Sequence, residues 1–319
     1  MTEIPNMPVV FLAGPTASGK TALSLELARQ LNGEIISVDS SVVYHGLDIG
    51  TAKPGLHEQA GVVHHLIDIR QPWQSYSAAD FCSDALSAIE VIQARGKVPI
   101  LAGGTMLYFN ALQHGLAELP AADAEIRAAI EADANVRGWP EIHKELARVD
   151  PVSAARIHPN DPQRVQRALE VYRIKGQSIS ELQAATTTRL SCPPVKLALV
   201  PDERSWLHKR IHSRFTAMLE RGFLDEVRTL RADVRLHAGL PSMRSVGYRQ
   251  AWHYLDDGET DKLWPDKAIA ATRQLAKRQL TWLRGMPDIS TLAADRLDLA
   301  TQAKSALHVV EQAFRHPAL

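Results

Sequence analysis

Cysteine is scarce in this chain: two in 319 residues, Cys82 and Cys192, far apart and without metal-ligand spacing. That excludes a disulfide framework and a cysteine-built zinc site, and the expectation is a cytoplasmic protein with buried or inert thiols. Net charge is absent as well, with 36 Lys+Arg against 36 Asp+Glu. Global charge therefore announces no nucleic-acid partner, and any such partner must be met by basic residues gathered locally. No apolar stretch approaches the length of a membrane span. The opening residues, Met1-Thr2-Glu3-Ile4-Pro5-Asn6, lack a basic region followed by an apolar run, so no signal peptide is expected. There is no internal repeat, low-complexity tract or terminal charge tail. Against these absences stand a hydrophobic content of 45% and a charged content of 23%, the balance of a globular chain with ample core. The length allows one large domain or two ordinary ones.

The stretch that organises the rest is Gly14-Pro15-Thr16-Ala17-Ser18-Gly19-Lys20-Thr21, which fits G-x-x-x-x-G-K-(S/T) at every fixed position. Pro8 to Ala13 before it is a short apolar run suited to a buried strand. Ala22 to Ala28 after it is helix-forming, with leucines at 23, 27 and 31. Strand, glycine loop and helix together make a phosphate cradle: backbone amides and the helix N-terminus face an oxyanion. Lys20 is placed to reach the terminal phosphate and the Thr21 hydroxyl to hold Mg²⁺. The motif alone leaves open whether the phosphates belong to ATP or to another diphosphate or triphosphate.

A second strand is expected over Glu34 to Ser41, with Asp39 at its carboxyl end beside the phosphate loop. That carboxylate can bind Mg²⁺ through water, accept a substrate proton, or merely cap the loop. The glycine-punctuated stretch Val42 to Pro54 reads as loop. His64 to Ile69 reads as a third strand whose histidine pair lacks a third metal ligand at sensible spacing. Ser77 to Gly96 has helical periodicity and Gly96 to stop it. Lys97 to Thr105 is a fourth strand ending in Gly103-Gly104-Thr105, where an ATPase or GTPase usually carries an acidic Mg²⁺ residue. Glycines there let something large approach the backbone, a second substrate for instance.

Between about Leu119 and Pro194 alanine-rich, charge-mixed helical runs replace the strand–helix alternation, so a helical subdomain is expected at 119–194, inserted into a core made of 1–118 and 195–319. Within it Asp161 and Pro162 start a helix. Gln163, Arg164 and Arg167 share one face; Val165, Ala168, Leu169 and Tyr172 share the other. A strand returns at Val195 to Val200, and helices are expected to fill the remainder, the last from about Leu292. Arg210 and Arg214 lie one turn apart and can address one ligand. Arg244-Ser245-Val246-Gly247-Tyr248-Arg249 sets a glycine and an aromatic between arginines. Arg273, Lys277 and Arg284 form a stripe near Trp282. Three basic patches in a chain without net charge suggest a polyanion footprint.

Together these residues resemble the tRNA dimethylallyltransferases, also called tRNA isopentenyltransferases. The likeness runs from Gly14 through Arg284. It rests on the glycine loop, Asp39-Ser40 with Val43-Tyr44, Asp48 to Pro54, His64 to Asp68, Gly103 to Tyr108, Asp161 to Arg164 with Arg167 to Glu170, Val246 to Gln250, and Ala276 to Gln279 with Thr281-Trp282. The resemblance implies a P-loop NTPase-like α/β fold, a parallel sheet flanked by helices. It also implies transfer of a dimethylallyl group from dimethylallyl diphosphate to N6 of the adenosine just 3′ of the anticodon, in tRNAs reading codons that begin with U. The nucleotide-type loop would then hold the allylic diphosphate rather than ATP. Asp39 would be the base, and the loop amides, Lys20, Mg²⁺ on Thr21, and Arg214 would share the leaving-group charge.

The family's tRNA contacts fall on Asp39, Ser40, Ser41, Val42, Thr105, Arg127, Gln163, Arg164, Val165, Gln166, Arg167, Arg244, Ser245, Val246, Gly247, Tyr248, Arg249, Lys277, Arg278 and Arg284. A cytoplasmic monomer with tRNA and dimethylallyl diphosphate as partners is expected. One departure stands out: the family usually shows Gln three residues after the catalytic Asp, and here that position is Val42. A valine makes no hydrogen bond to a base, so altered or compensated base recognition is expected. The rival readings are a P-loop kinase of a small metabolite, with Arg210 and Arg214 as lid arginines, and a non-catalytic RNA-binding protein with a vestigial loop.

Overall fold

The computed structural model describes residues 8–117, 119–184 and 190–315; the N-terminal stretch read above for a leader lies outside them. In chain order the first elements are β1 (Val10–Ala13), α1 (Lys20–Gln30), β2 (Gly33–Val38), α2 (Leu56–Gln59), β3 (His64–His65), α3 (Ala78–Ala94), β4 (Val98–Gly103) and α4 (Met106–His114). Five helices follow: α5 (Ala124–Arg137), α6 (Trp139–Val149), α7 (Pro151–Arg156), α8 (Pro162–Lys175) and α9 (Ile179–Ala184). The chain then runs through β5 (Val195–Val200), α10 (Arg204–Glu220), α11 (Phe223–Arg231), α12 (Tyr248–Asp256), α13 (Trp264–Arg284), β6 (Ser290–Ala293) and α14 (Leu299–Arg315).

These elements form two compact units, 1–113 with 190–319, and 114–189. The first holds a six-stranded parallel sheet in the order β3-β2-β4-β1-β5-β6. Its strands are apolar on both faces, as parallel strands covered on both sides must be. Alternate residues divide the two cores. Val10, Leu12, Ile35, Ile100 and Leu197 pack with Leu23 and Leu27 of α1 and Ala306 and Val310 of α14. Phe11, Ile36, Val38, Leu101 and Ala198 face the core that holds α3, α4 and the helices from α10 to α13. The second unit, all helical, has its own core of Ile130, Ile142, Leu146, Val165, Ala168 and Leu169.

Two expectations are corrected. The third strand is only His64–His65, because Leu66 and Asp68 take left-handed backbone (φ 63 and 52) and end it. The region after residue 285 is not all helix: Ser290–Ala293 pairs with β5 as an edge strand. Four residues with one buried side chain, Leu292, leave no readable alternation.

Candidate functional site

The loop after β1 curls around its own backbone. Ala17 (φ 62) and Gly19 (φ 105) are left-handed, which turns successive N–H groups toward one concavity at the start of α1. Gly19 is required there, since a side chain at that φ is strained. Lys20 Nζ donates to Pro15 O at 2.7 Å, and the buried Ser18 hydroxyl has no hydrogen-bond partner among the described residues. Arginines of α10 reach in from above: Arg210 Nε donates to Ala17 O at 2.7 Å. Arg214 contacts Thr16 Oγ1 at 3.5 Å and donates to Thr51 O at 3.1 Å.

The parallel sheet brings three strand ends to one edge. Val38 is in register with Gly103, and Gly103 with Ala13. The N–H groups of Gly104 and Thr105 both donate to Val38 O at 3.1 Å, and Ser40 N donates to Thr105 Oγ1 at 3.2 Å. A Cβ on Gly103 would lie 2.1 Å from Val38 O, so the β4 end must be glycine for the β2 end to approach it. The result is a cavity of about 440 Å³. Lys20, Thr21, Arg214 and Asp39 line it, with Gly103 and Gly104 in its wall. Ser40, Ser41, Val42, Thr105, Ser245, Val246, Arg278 and Trp282 also line it.

The charges in this cavity are mismatched with their surroundings. Burial, then the neighbouring Arg214, pulls the Lys20 ammonium down to about 7, against a smaller opposing pull from Asp39. Burial also lowers Arg214, and Asp39 only partly restores it. Asp39 is pushed above the usual carboxylate range by burial, although hydrogen bonds from the Ser41 and Val42 N–H groups and the charge of Lys20 oppose the shift. Two desolvated cations beside one reluctant carboxylate favour an anionic ligand with several charges. The same burial makes the Asp39 carboxylate a stronger proton acceptor than an exposed one.

Two positioning roles escaped the sequence reading. Gln279 of α13, 8% exposed, accepts from Thr16 N at 2.9 Å and donates to Gly104 O at 2.8 Å, tying the phosphate loop to the β4 turn. Its signal was a glutamine on the apolar stripe that includes Ala276, Leu280 and Leu283. Glu226 of α11 accepts from the N–H groups of Asp48 (3.0 Å), Ile49 (2.7 Å) and Gly50 (3.2 Å) and from the Tyr248 hydroxyl. It holds the loop that presents Thr51 O to Arg214. An exposed-looking glutamate in a short helix gives no such warning in sequence.

The expected RNA-facing residues divide. Arg244 and Arg249 are exposed, and Ser245 Oγ meets Ser41 Oγ at 2.9 Å. Gly247 and Tyr248 are buried, so Tyr248 offers its wall and not its hydroxyl. Arg278 lines the cavity, whereas Lys277 and Arg284 do not. In the helical unit Gln163 and Arg164 are exposed and Val165 is fully buried in the core. Arg167, on the same face, is not free. Glu170, wholly buried, accepts from Arg127 Nε at 2.8 Å, from Arg167 at 2.7 Å and from Asp123 N at 2.8 Å. Arg167 also donates to Pro120 O at 2.7 Å, and Gln166 donates to Arg127 O and to Glu131. The histidine pair is bound by protein: His65 Nε2 lies 2.7 Å from Glu34 Oε2, and His64 Nδ1 lies 2.9 Å from Val62 O.

The family model described as IPP transferase matches residues 42–286 of the chain. A tRNA dimethylallyltransferase of Methylibium petroleiphilum is 57% identical over 296 residues, covering 91% of this chain and 90% of that protein. Among solved structures, the full-length tRNA isopentenylpyrophosphate transferase of Bacillus halodurans is 37% identical with a TM-score of 0.70, over 97% of this chain and 98% of that one. A eukaryotic dimethylallyltransferase acting on tRNA is 29% identical with a TM-score of 0.80, over 97% and 79%.

Proposed function

The chain belongs to the IPP transferase family, and from that premise we propose that it transfers a dimethylallyl group from dimethylallyl diphosphate to N6 of the adenosine just 3′ of the anticodon, in tRNAs reading codons that begin with U. The products are N6-isopentenyladenosine and diphosphate. One observation carries the reading: Asp39 and the Lys20–Thr21–Arg214 cluster line a single cavity whose wall, at Gly103 and Gly104, has no side chain.

The adenine leaves its stack in the anticodon loop, which is cheaper to open than a duplex, and enters this cavity. Its exocyclic nitrogen forms a bond to C1 of the allylic chain as the C1–O bond breaks and diphosphate departs. Asp39 takes the N6 proton, a role its raised pKa suits. The loop amides, Lys20 and Arg214 stabilise the charge on the leaving oxygens, and the partnerless Ser18 hydroxyl suits the same phosphate. Mg²⁺ fits as a companion of the diphosphate. Among the described residues no three His, Cys, Asp or Glu gather to cage a metal, so the exposed Thr21 hydroxyl would be its protein ligand beside phosphate oxygens and water. It would supply charge neutralisation to the departing group.

Ser40, Ser41, Val42, Thr105, Ser245 and Arg278 surround the adenosine's entry, with Arg244 and Arg249 for the backbone. Gln163 and Arg164 would serve the helical unit. Val42 leaves base recognition altered or compensated. The enzyme acts in the cytoplasm, where its tRNA is, as a monomer.

The test is nucleoside mass spectrometry after incubating the protein with Mg²⁺, dimethylallyl diphosphate and an anticodon stem-loop whose anticodon ends in adenosine. A dimethylallyl mass gain on the next adenosine is expected. No gain by folded protein, with ADP formed from ATP in a parallel reaction, would overturn the proposal in favour of a kinase.

A further inference from the structure

α13 has two working faces. Arg278, Gln279 and Trp282 look into the catalytic cavity, while Arg273, Lys277 and Arg284 line a second cavity of about 380 Å³ against the first turns of α10, which contributes Arg204 and His208. No residue is shared between the two cavities. Four arginine or lysine side chains and a histidine thus converge on one concavity, and no acidic side chain lines it.

Some cations elsewhere in the chain are paired. Arg228 is held by Asp225 and Glu259, Arg231 by Asp256, and Arg296 by Asp202. Among the described residues Arg204, Arg273, Lys277 and Arg284 have no such partner. Arg273 goes further: its Nε is buried and makes no hydrogen bond among the described residues. A charged donor withdrawn from water and left unmatched is costly, and like charges facing across a cavity repel. Both costs are relieved by one kind of occupant, a compact anion with several acceptor oxygens. Leu207 and Leu280 also line the cavity, behind the ring of charge.

We propose that this cavity is a second phosphate-binding site, separate from the glycine loop. It would grip a phosphate group supplied either by the backbone of the RNA substrate or by a small free phosphate. Its RNA arm rests on the tRNA reading above; its free-anion arm does not. Arg204 and Arg273 supply forked donors suited to two oxygens of one phosphate. Lys277 and Arg284 then act here, one helix face away from Arg278, rather than beside it at the catalytic cavity.

The experiment compares the protein with an Arg204→Gln/Arg273→Gln double variant, and with exposed Arg204→Gln alone, which cannot disturb the core. Binding of an anticodon stem-loop is measured across salt. Loss of one phosphate contact lowers the slope of log affinity against log salt by about one, and weakens binding roughly tenfold near 0.1 M salt. A merely structural role lowers the melting temperature and leaves the slope alone. Inorganic phosphate is titrated by thermal shift with Lys20→Ala present in both proteins to weaken the glycine loop. A reduced slope establishes the site with RNA as the source. An unchanged slope with a lost phosphate-induced shift establishes it for a free anion. No change in either readout overturns the proposal. If the unsubstituted protein binds no stem-loop at all, the tRNA reading fails, and the thermal-shift arm alone decides the site.

Discussion

Asp39 is the one carboxylate lining the catalytic cavity among the described residues, so no neighbour there can take over its proton. Asp39→Ala is expected to lower kcat by about 10²-fold or more, the scale of a lost general base, while RNA affinity holds; single-turnover rates beside filter binding measure both, and unchanged turnover removes Asp39 from the mechanism. Lys20 carries a different expectation. Its ammonium sits at about 7 in the free protein, and a diphosphate beside it restores the ordinary, higher value. The ligand therefore prefers the protonated enzyme: affinity is full below about pH 7 and falls about tenfold per unit above it. Calorimetry of pyrophosphate binding between about pH 6 and about pH 9 reads this directly, with proton uptake on the alkaline side. A Kd flat across that range sinks it.

Among the elements, α13 does the most with one side chain. Gln279→Leu keeps the volume but strands Thr16 N–H and Gly104 C=O, which the glutamine now joins. A loss of about 1–3 kcal/mol in urea unfolding is expected, with KM for the allylic diphosphate rising more than kcat falls. An unaltered KM would reduce Gln279 to packing. In α8 the buried Glu170 makes the two directions of substitution unequal. Removing both Arg127 and Arg167 leaves a fully buried carboxylate with only the Asp123 N–H, costing about 3–5 kcal/mol. Glu170→Gln strands two arginines that already reach solvent, and costs less. Differential scanning calorimetry ranks the two; equal losses would contradict the argument. Weaker RNA binding by Arg167→Ala therefore reads as RNA contact only if the helical unit stays folded. These elements also show where the sequence was legible. Asp161 starting α8 follows from local chemistry, and it caps as expected; Ser77, where the helical pattern begins, caps α3. Glu170, Glu226 and Gln279 each reach a residue far off in sequence, 43, 177 and 263 positions away, and periodicity marks them only as polar residues out of place.

At the scale of the whole chain, the strand ends were readable because each carries its own short motif: the glycine loop, Asp39 and Gly103-Gly104. Their order in the sheet was not, since β4 comes to lie between β1 and β2 through pairing of residues some sixty to ninety positions apart. That order has a stereochemical consequence. Asp39 follows β2 and the phosphate loop follows β1, so two strand spacings, about 10 Å, separate these strand ends across the bare glycine end of β4. Acceptor amine and departing oxygen thus approach the migrating carbon from opposite sides. Donor made chiral at C1 with deuterium is expected to give product of inverted configuration. Retention would mean that the allyl group pauses on the protein or turns over in the cavity before capture.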